Sequence, residues 1–188
     1  IDKEKSLAIS RDFLKAVSDG KEFTSIFISS VLNSVPFEKD RQHIACICAA
    51  LCRPFTKLYA CASSTSETGY RQVNGKAFHN ESNAGNIAFR LEYEAGVRIG
   101  DFQDKPKVQK YHTKKEFFDL FSPFFRKVEI SEMTGNVNAK CENVRRIPWE
   151  RIEEALRFEF DLPYPDCSRM GLVEEAITAF KRRYEIFG

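Results

Sequence analysis

The most informative pattern in the chain is a short apolar run with polar residues on both sides. Residues 26 to 28 are β-branched or aromatic, and the run is too short for a helix. It predicts a strand buried on both faces, in the middle of a sheet. Hydroxyl and amide side chains follow, and then Pro36 and an acidic helix start at residues 38 to 40. The loop is therefore expected at the carboxyl edge of the sheet, where open α/β sheets bind ligands.

Two further elements complete a parallel unit. Apolar residues at helical spacing predict a helix over residues 38 to 52, and residues 56 to 62 predict the next strand. Strand, helix and strand at this spacing imply a right-handed crossover and a parallel pair. Residues 3 to 18 predict an amphipathic helix before the first strand. Ile1 and Asp2 are typical of the end of a preceding strand, so we expect the fold to begin upstream.

The second half of the chain predicts a different arrangement. Residues 63 to 88 are rich in Ser, Thr, Asn and Gly without a period, so we expect a long surface excursion, either a lid or an ordinary loop. Thr113 and Glu116 form a capping box that opens a helix. Alternation at period two on both sides of residues 134 to 136 predicts an antiparallel hairpin at one end of the sheet. Further short alternating segments cover residues 89 to 93 and 97 to 99, and helices are predicted at residues 148 to 160 and 172 to 184.

Composition narrows the class of protein without selecting a function. The 188 residues, 43% hydrophobic and 30% charged, suffice for one ordinary globular core. The 29 basic residues nearly balance 27 acids, which does not favour nucleic acid as a partner. Six cysteines without a C-x-x-C pair, and scattered histidines, predict buried thiols in a reduced compartment and no metal site. Without a signal peptide or a long apolar stretch, a cytoplasmic protein with no membrane partner is expected.

Three segments of the sequence resemble class I S-adenosylmethionine-dependent methyltransferases. Residues 27 to 37, Phe-Ile-Ser-Ser-Val-Leu-Asn-Ser-Val-Pro-Phe, resemble the family's fourth strand and the motif that follows it. Residues 108 to 121 resemble the segment leading into its last core helix, and residues 124 to 130 its exit into a reversed terminal hairpin. The resemblance implies an α/β fold over residues 1 to 143, with a Rossmann-like sheet that is mostly parallel and ends in an antiparallel hairpin. Residues 144 to 188 would be a helical extension.

The same resemblance implies a cofactor and a site. The cofactor would be S-adenosylmethionine, and the acceptor of the methyl group, a small molecule or a nucleic acid, is not identified. Asp2 would hold the ribose hydroxyls of the cofactor. The implied cofactor-binding residues are Asp2, Ser29, Ser30, Leu32, Asn33 and Ser34, and the candidate catalytic residues are Asn33, Tyr111 and His112.

Each candidate side chain also has a structural interpretation. His112 would act as a base, orient a substrate, or only cap a loop. Asn33 would bind a substrate or satisfy the loop backbone.

One departure from the family pattern supports other functions. No G-x-G pair occurs among the nine glycines, so the family's glycine-rich cofactor loop is not in this sequence. This favours, as an alternative, a non-catalytic methyltransferase-like module that binds a protein partner, or a second copy, through the C-terminal helices. A weaker alternative is nucleic-acid binding through the clusters at residues 145 to 146 and 181 to 183.

Overall fold

The computed structural model describes residues 2–66, 78–79, 87–91, 93–100 and 106–187, which form an α/β fold with two sheets. The helices are α1 (Lys3–Ser18), α2 (Glu38–Leu51), α3 (Lys114–Phe121), α4 (Trp149–Glu159) and α5 (Val173–Phe187). The strands are β1 (Ser25–Ser29), β2 (Lys57–Ser63), β3 (Phe78–His79), β4 (Ile87–Arg90), β5 (Val97–Gly100), β6 (Lys107–Lys110), β7 (Phe125–Met133) and β8 (Asn136–Val144). A short 3₁₀ turn, Leu32–Ser34, follows β1.

The main sheet has the strand order β1-β2-β8-β7. β1 and β2 are parallel, whereas β8 is antiparallel to both β2 and β7 and lies between them. The turn of the hairpin has two successive residues at positive φ, Thr134 at 54° and Gly135 at 80°, as tight hairpin turns of the primed type require. The hairpin prediction is confirmed. The expectation of a mostly parallel sheet is wrong for the described sheet, which is mixed and has one parallel pair among its three strand pairs.

The helices cover one face of the main sheet. Leu58, Ala60 and Ala62 of β2 point into the single hydrophobic core, to which all five helices contribute. The opposite face carries Phe27, stacked on Tyr59 at 5.2 Å between ring centroids and 72% exposed. The predicted central position of the first strand is therefore wrong, because β1 lies at the edge of the described sheet. A three-residue apolar run does not reveal how many faces of a strand are covered.

The second sheet is antiparallel, in the order β3-β4-β5-β6. β4 and β5 fall on two of the predicted alternating segments, whereas β3 and β6 were not predicted. Most of the expected excursion, and with it the lid hypothesis, lies outside the described residues. Just after β6, Tyr111 donates its backbone N–H to the Gly96 carbonyl at 2.8 Å. Gly96 has φ of 83°, and a Cβ there would lie 2.2 Å from the Tyr111 oxygen, so this approach requires glycine.

The two C-terminal helices lie at the positions that the sequence predicts. α4 packs against α2, and α5 packs against α1 and α4. Leu156 and Phe180 belong to the same core as the sheet, and the boundary proposed near residue 143 stays a prediction. Cys46 and Cys52 are buried free thiols, as expected, and Cys141 is buried as well, whereas Cys48 and Cys61 are half-buried and Cys167 is exposed. Burial raises the pKa of Cys46, Cys52 and Cys141. In the described part of the chain no helix combines the length and apolarity that a membrane crossing needs.

Candidate functional site

The turn after β1 presents hydroxyl groups at the carboxyl edge of the parallel pair. Ser30 has φ of 57°, a left-handed conformation that costs a non-glycine residue roughly 1 kcal/mol. Its N–H donates to the Cys61 carbonyl at 2.9 Å, which joins the turn to β2. Leu32 is fully buried and anchors the 3₁₀ turn, while Ser29, Ser30 and Ser34 are exposed. The predicted binding loop is therefore anchored by Leu32 and by the hydrogen bond to β2, and its serine hydroxyl groups are accessible to a ligand.

Asn33 lies within this anchored turn and has an unsatisfied acceptor. Its Oδ1 atom is buried and, among the residues that the structure describes, has no hydrogen-bond partner. The 3₁₀ turn packs against β6 and β2, so Asn33 lies beside the strand that leads to Tyr111 and His112. A buried amide oxygen normally has a donor, and the cost of leaving one without is about 1–3 kcal/mol. Asn33 therefore has the capacity to accept a hydrogen bond from a ligand.

His112 is the second polar group without a partner at this edge. Its backbone N–H donates to the Ser63 carbonyl at 2.8 Å, and its carbonyl accepts from Thr65 at 3.1 Å, which fixes the residue against the end of β2. The imidazole is 2% exposed, and neither ring nitrogen has a hydrogen-bond partner within the described part of the chain. Burial, and then the charges of Arg41 and Lys110, lower the pKa of His112 to about 3. The ring is thus neutral near pH 7, with one nitrogen able to donate and one able to accept.

A network of four charged residues, Arg41, Glu94, Lys110 and Glu116, connects the elements around the site. Arg41 is 3% exposed, donates to the Val35 and Pro36 carbonyls at 2.9 Å, and forms an ion pair with Glu94. Lys110 is 0% exposed, and its Nζ lies 3.0 Å from Glu94 Oε1. These contacts tie the loop before α2, the segment before β5 and the end of β6 together.

The start of α3 belongs to the same network. The Nζ of Lys110 lies 2.7 Å from Glu116 Oε1, so two cations face two carboxylates. Glu116 also completes the predicted capping box with Thr113. Burial opposes the charged form of Glu116, but hydrogen bonds from Lys110 and Thr113 prevail and hold its pKa below the usual range.

A small polar cavity opens beside His112. Its volume is about 110 Å³, room for roughly three or four water molecules. Arg41, Glu94 and Glu116 of the charge network line it together with His112, and Glu38 and Asp119 add two more carboxylates. The cavity is the right size for one small functional group, not for a whole nucleoside cofactor, which would have to lie along the exposed turn.

The other two predicted site residues lie in different surroundings. Tyr111 is 2% exposed, and the guanidinium of Arg98 lies 4.8 Å from the centre of its ring. Asp2 caps α1 by accepting the Lys5 backbone N–H at 3.0 Å, and it is exposed. Thus Asn33, His112 and the serine turn meet at one edge, whereas Tyr111 packs inside and Asp2 serves a helix terminus. Their functional roles stay predictions.

Most residues of this charge network could not be predicted from the sequence. Arg41, Glu94 and Lys110 come from three separate elements, and the partners Arg41 and Glu94 are 53 positions apart in the chain. The capping box singled out Glu116, but no sequence feature indicated the other three residues of the network. A lysine at the end of a short alternating strand looks like a solvated residue, and nothing local indicates that it is fully buried.

Comparisons with known proteins found matches among solved structures. No family model matches the chain, and no curated protein matches it. A methyltransferase dependent on S-adenosylmethionine from Clostridium acetobutylicum is 7% identical with a TM-score of 0.45, over 67% of this chain and 61% of that one. One from Methanosarcina mazei is 18% identical with a TM-score of 0.43, over 69% and 65%. The CcbJ methyltransferase of Streptomyces caelestis is 10% identical with a TM-score of 0.47, over 66% and 58%.

The chain spans 58 to 65% of the length of these three structures. All three are methyltransferases by name.

Proposed function

We propose that this chain takes part in methyl transfer from S-adenosylmethionine to an acceptor that is not yet identified. The observation that carries the proposal is the pair of buried polar side chains without partners, Asn33 and His112, beside an exposed serine turn. Both lie at the carboxyl edge of a parallel strand pair, the usual ligand edge of α/β sheets. The sequence resemblance supplies the chemical class of the ligand.

The polar groups of the turn fit such a cofactor. S-adenosylmethionine carries an ammonium group, a carboxylate and two ribose hydroxyls. Asn33 Oδ1 would accept from the ammonium group or a hydroxyl, and the hydroxyls of Ser29, Ser30 and Ser34 would donate to the carboxylate. Val31, 46% exposed, offers apolar surface next to them. The proposed ribose contact of Asp2 would require the start of α1 to form part of the same site.

His112 would orient the acceptor rather than remove its proton before the transfer. The bound donor supplies a methyl group on a sulfonium sulfur, which keeps the bonding electron pair as a thioether when the methyl passes in line to an acceptor lone pair. An imidazole whose conjugate acid has a pKa of about 3 binds a proton too weakly to take one from the acceptor near pH 7, so the proton lost by the acceptor would leave to water. One imidazole nitrogen can still hold the nucleophile by a hydrogen bond. Tyr111 would act through the position of His112, its neighbour in the chain.

Calorimetric titration of S-adenosylmethionine, and of its demethylated product, into the protein tests the proposal. Asn33→Ala and His112→Ala are compared with Asn138→Ala, which changes the same side-chain type on the uncovered face of the sheet. We expect the loss of one hydrogen bond at Asn33 to weaken binding about tenfold, and no change for Asn138→Ala. Asp2→Ala tests the ribose contact separately. Absence of binding to the unmodified protein would reject the proposal.

A second candidate function is a non-catalytic module that binds a protein partner or a second copy of the chain. It is supported by the absence of a G-x-G pair from the sequence and by apolar side chains exposed on the C-terminal helices, Phe158 at 39% and Ile186 at 53%. Light scattering on the protein and on Phe158→Ser would test it. A single monomeric mass for both would count against self-association. A cytoplasmic location, consistent with free thiols, is part of either proposal.

A further inference from the structure

A second cavity lies at the amino edge of the main sheet, opposite the candidate site. Its volume is about 330 Å³, within the range of roughly 300–1,000 Å³ for small-molecule pockets. It lies between the end of α2, the segment after β8, and α5. Ala49, Ala50, Ile147 and Phe180 form apolar walls, and Tyr184 and Phe187 add aromatic rings.

Four arginines line the same cavity: Arg53, Arg145, Arg146 and Arg183. Among the residues that the structure describes, a single carboxylate pairs with them, that of Glu22, 3.4 Å from Arg53 Nε. This excess of charge is unusual beside an apolar wall, because a buried charge normally has a counter-ion. The cavity therefore retains a positive field.

Neutral groups hold Arg183 in place, and a ring also contacts Arg53. Arg183 is 2% exposed and donates to the carbonyls of Lys21 at 2.6 Å and Leu51 at 2.7 Å. Arg53 lies over the Phe187 ring at 3.9 Å from its centre, and Arg183 lies 5.0 Å from the same ring. Burial, and to a smaller extent the nearby charge of Arg53, lower the pKa of Arg183.

We propose that this cavity binds an amphiphilic anion, a ligand with a carboxylate or phosphate head and an apolar body. The head would replace the missing counter-ion among the guanidinium groups, which bind both kinds of oxyanion through paired donors. The body would lie against Ala49, Ala50 and Ile147. This inference concerns the opposite edge of the sheet and does not rest on the proposed methyl transfer.

The only tryptophan of the chain provides a built-in reporter. The ring of Trp149 lies 5.7 Å from that of Tyr184, which lines the cavity. We expect octanoate and octyl phosphate to change its fluorescence in a saturable way, and their relative affinities identify the preferred head group. Octanol and octyltrimethylammonium share the apolar body but carry no anion. If either binds as tightly as the anions, the proposal fails.

Matched variants separate this site from general attraction to a basic surface. Arg146→Gln removes a lining charge, whereas Arg182→Gln removes an exposed charge next to Arg183 that does not line the cavity. We expect about tenfold weaker octanoate binding for Arg146→Gln and no change for Arg182→Gln. Both arginines are exposed, so both proteins should fold. Equal effects of the two variants would overturn the proposal.

A bulky side chain tests whether the ligand enters the cavity. Ala50→Phe fills the apolar wall and should abolish octanoate binding, with circular dichroism to verify folding. If it does not fold, the comparison of Arg146→Gln with Arg182→Gln decides alone. Single-stranded oligonucleotide that displaces octanoate, together with unchanged octanoate binding by a folded Ala50→Phe, would assign the arginines to nucleic-acid phosphates instead.

Discussion

The two edges of the main sheet both contain buried cations, but the cations are compensated in different ways. At the carboxyl edge, Arg41 and Lys110 face Glu94 and Glu116, so their charges cancel. At the amino edge, Arg183 is held by backbone carbonyls and rings, which leave its charge in place. A buried charge therefore does not by itself indicate a ligand site. What matters is whether the protein already supplies the opposite charge.

The same comparison explains which groups would contact ligands at each edge. The ions of the carboxyl edge bond one another, so the groups left without partners there are neutral, Asn33 and His112. The amino edge has the reverse arrangement, with neutral partners satisfied and charge left over. A ligand region whose unpartnered groups are neutral, beside a cavity lined by carboxylates, and an anion-binding cavity would therefore lie at opposite ends of one sheet.

Removal of the buried cation at each edge should give the largest difference in the free energy of unfolding between the two edges. Lys110→Met leaves Glu94 and Glu116 without their shared counter-ion, and breaking a buried ion pair costs about 3–5 kcal/mol. Arg183→Met should cost less, about 2 kcal/mol, because it removes hydrogen bonds to neutral carbonyls and also relieves repulsion with Arg53. Urea unfolding measures both.

A surface lysine provides the control for this first prediction. Lys115 on α3 pairs with Asp119 four residues later and is 83% exposed, so Lys115→Met should leave the unfolding midpoint unchanged. If Arg183→Met destabilised the protein more than Lys110→Met, the proposed difference in charge compensation would be wrong.

The pH dependence of stability should depend on the histidine at the carboxyl edge. The unfolded chain protonates His112 near pH 6.5, whereas the folded protein does so only near pH 3. As the pH falls below 6.5, the unfolded state takes up a proton that the folded state does not, and stability is lost. The loss approaches about 1.4 kcal/mol per pH unit. His112→Gln should remove this part of the slope.

Urea unfolding between pH 6.5 and 4.5 tests this prediction. The lowered pKa of Glu116, and the pKa of Glu159, which burial raises to about 7, also affect the slope, but both groups are present in both proteins and cancel in the difference. His43 also has a pKa lowered by burial, but it is present in both proteins and cancels in the difference. Parallel stability curves for the two proteins would mean that the imidazole of His112 is hydrated in solution.

The outcome of sequence reasoning differed between local and non-local features. The hairpin and the Thr113 capping box are set by residues close in the chain, and both were predicted correctly. The coverage of β1 was predicted wrongly, because it depends on strands and helices distant in sequence. The pattern selected Asn33 and His112, but it could not show that both lack partners, since that depends on every element around them.

The smallest expected effect is a change in stability when glycine replaces a residue with positive φ at each edge. Ser30 at the carboxyl edge and Asn143 at the amino edge have φ of 57° and 59°. Glycine at either position removes the left-handed strain but increases the entropy of the unfolded chain, so the net gain should be about 0.5 kcal/mol, and less for asparagine, which tolerates this conformation. Thermal unfolding measures the gain.

The same two variants should differ in their affinity for S-adenosylmethionine. Ser30→Gly removes a hydroxyl proposed to contact S-adenosylmethionine, so this variant should be slightly more stable and yet bind the cofactor about tenfold more weakly. Asn143→Gly should leave the affinity unchanged because it lies at the opposite edge. Increased stability with unchanged affinity in Ser30→Gly would show that the strain at this turn serves its packing on β2, through the bond to Cys61, and not the ligand. Strain kept at a cost in stability, and needed for binding, is instead the behaviour expected of a functional turn.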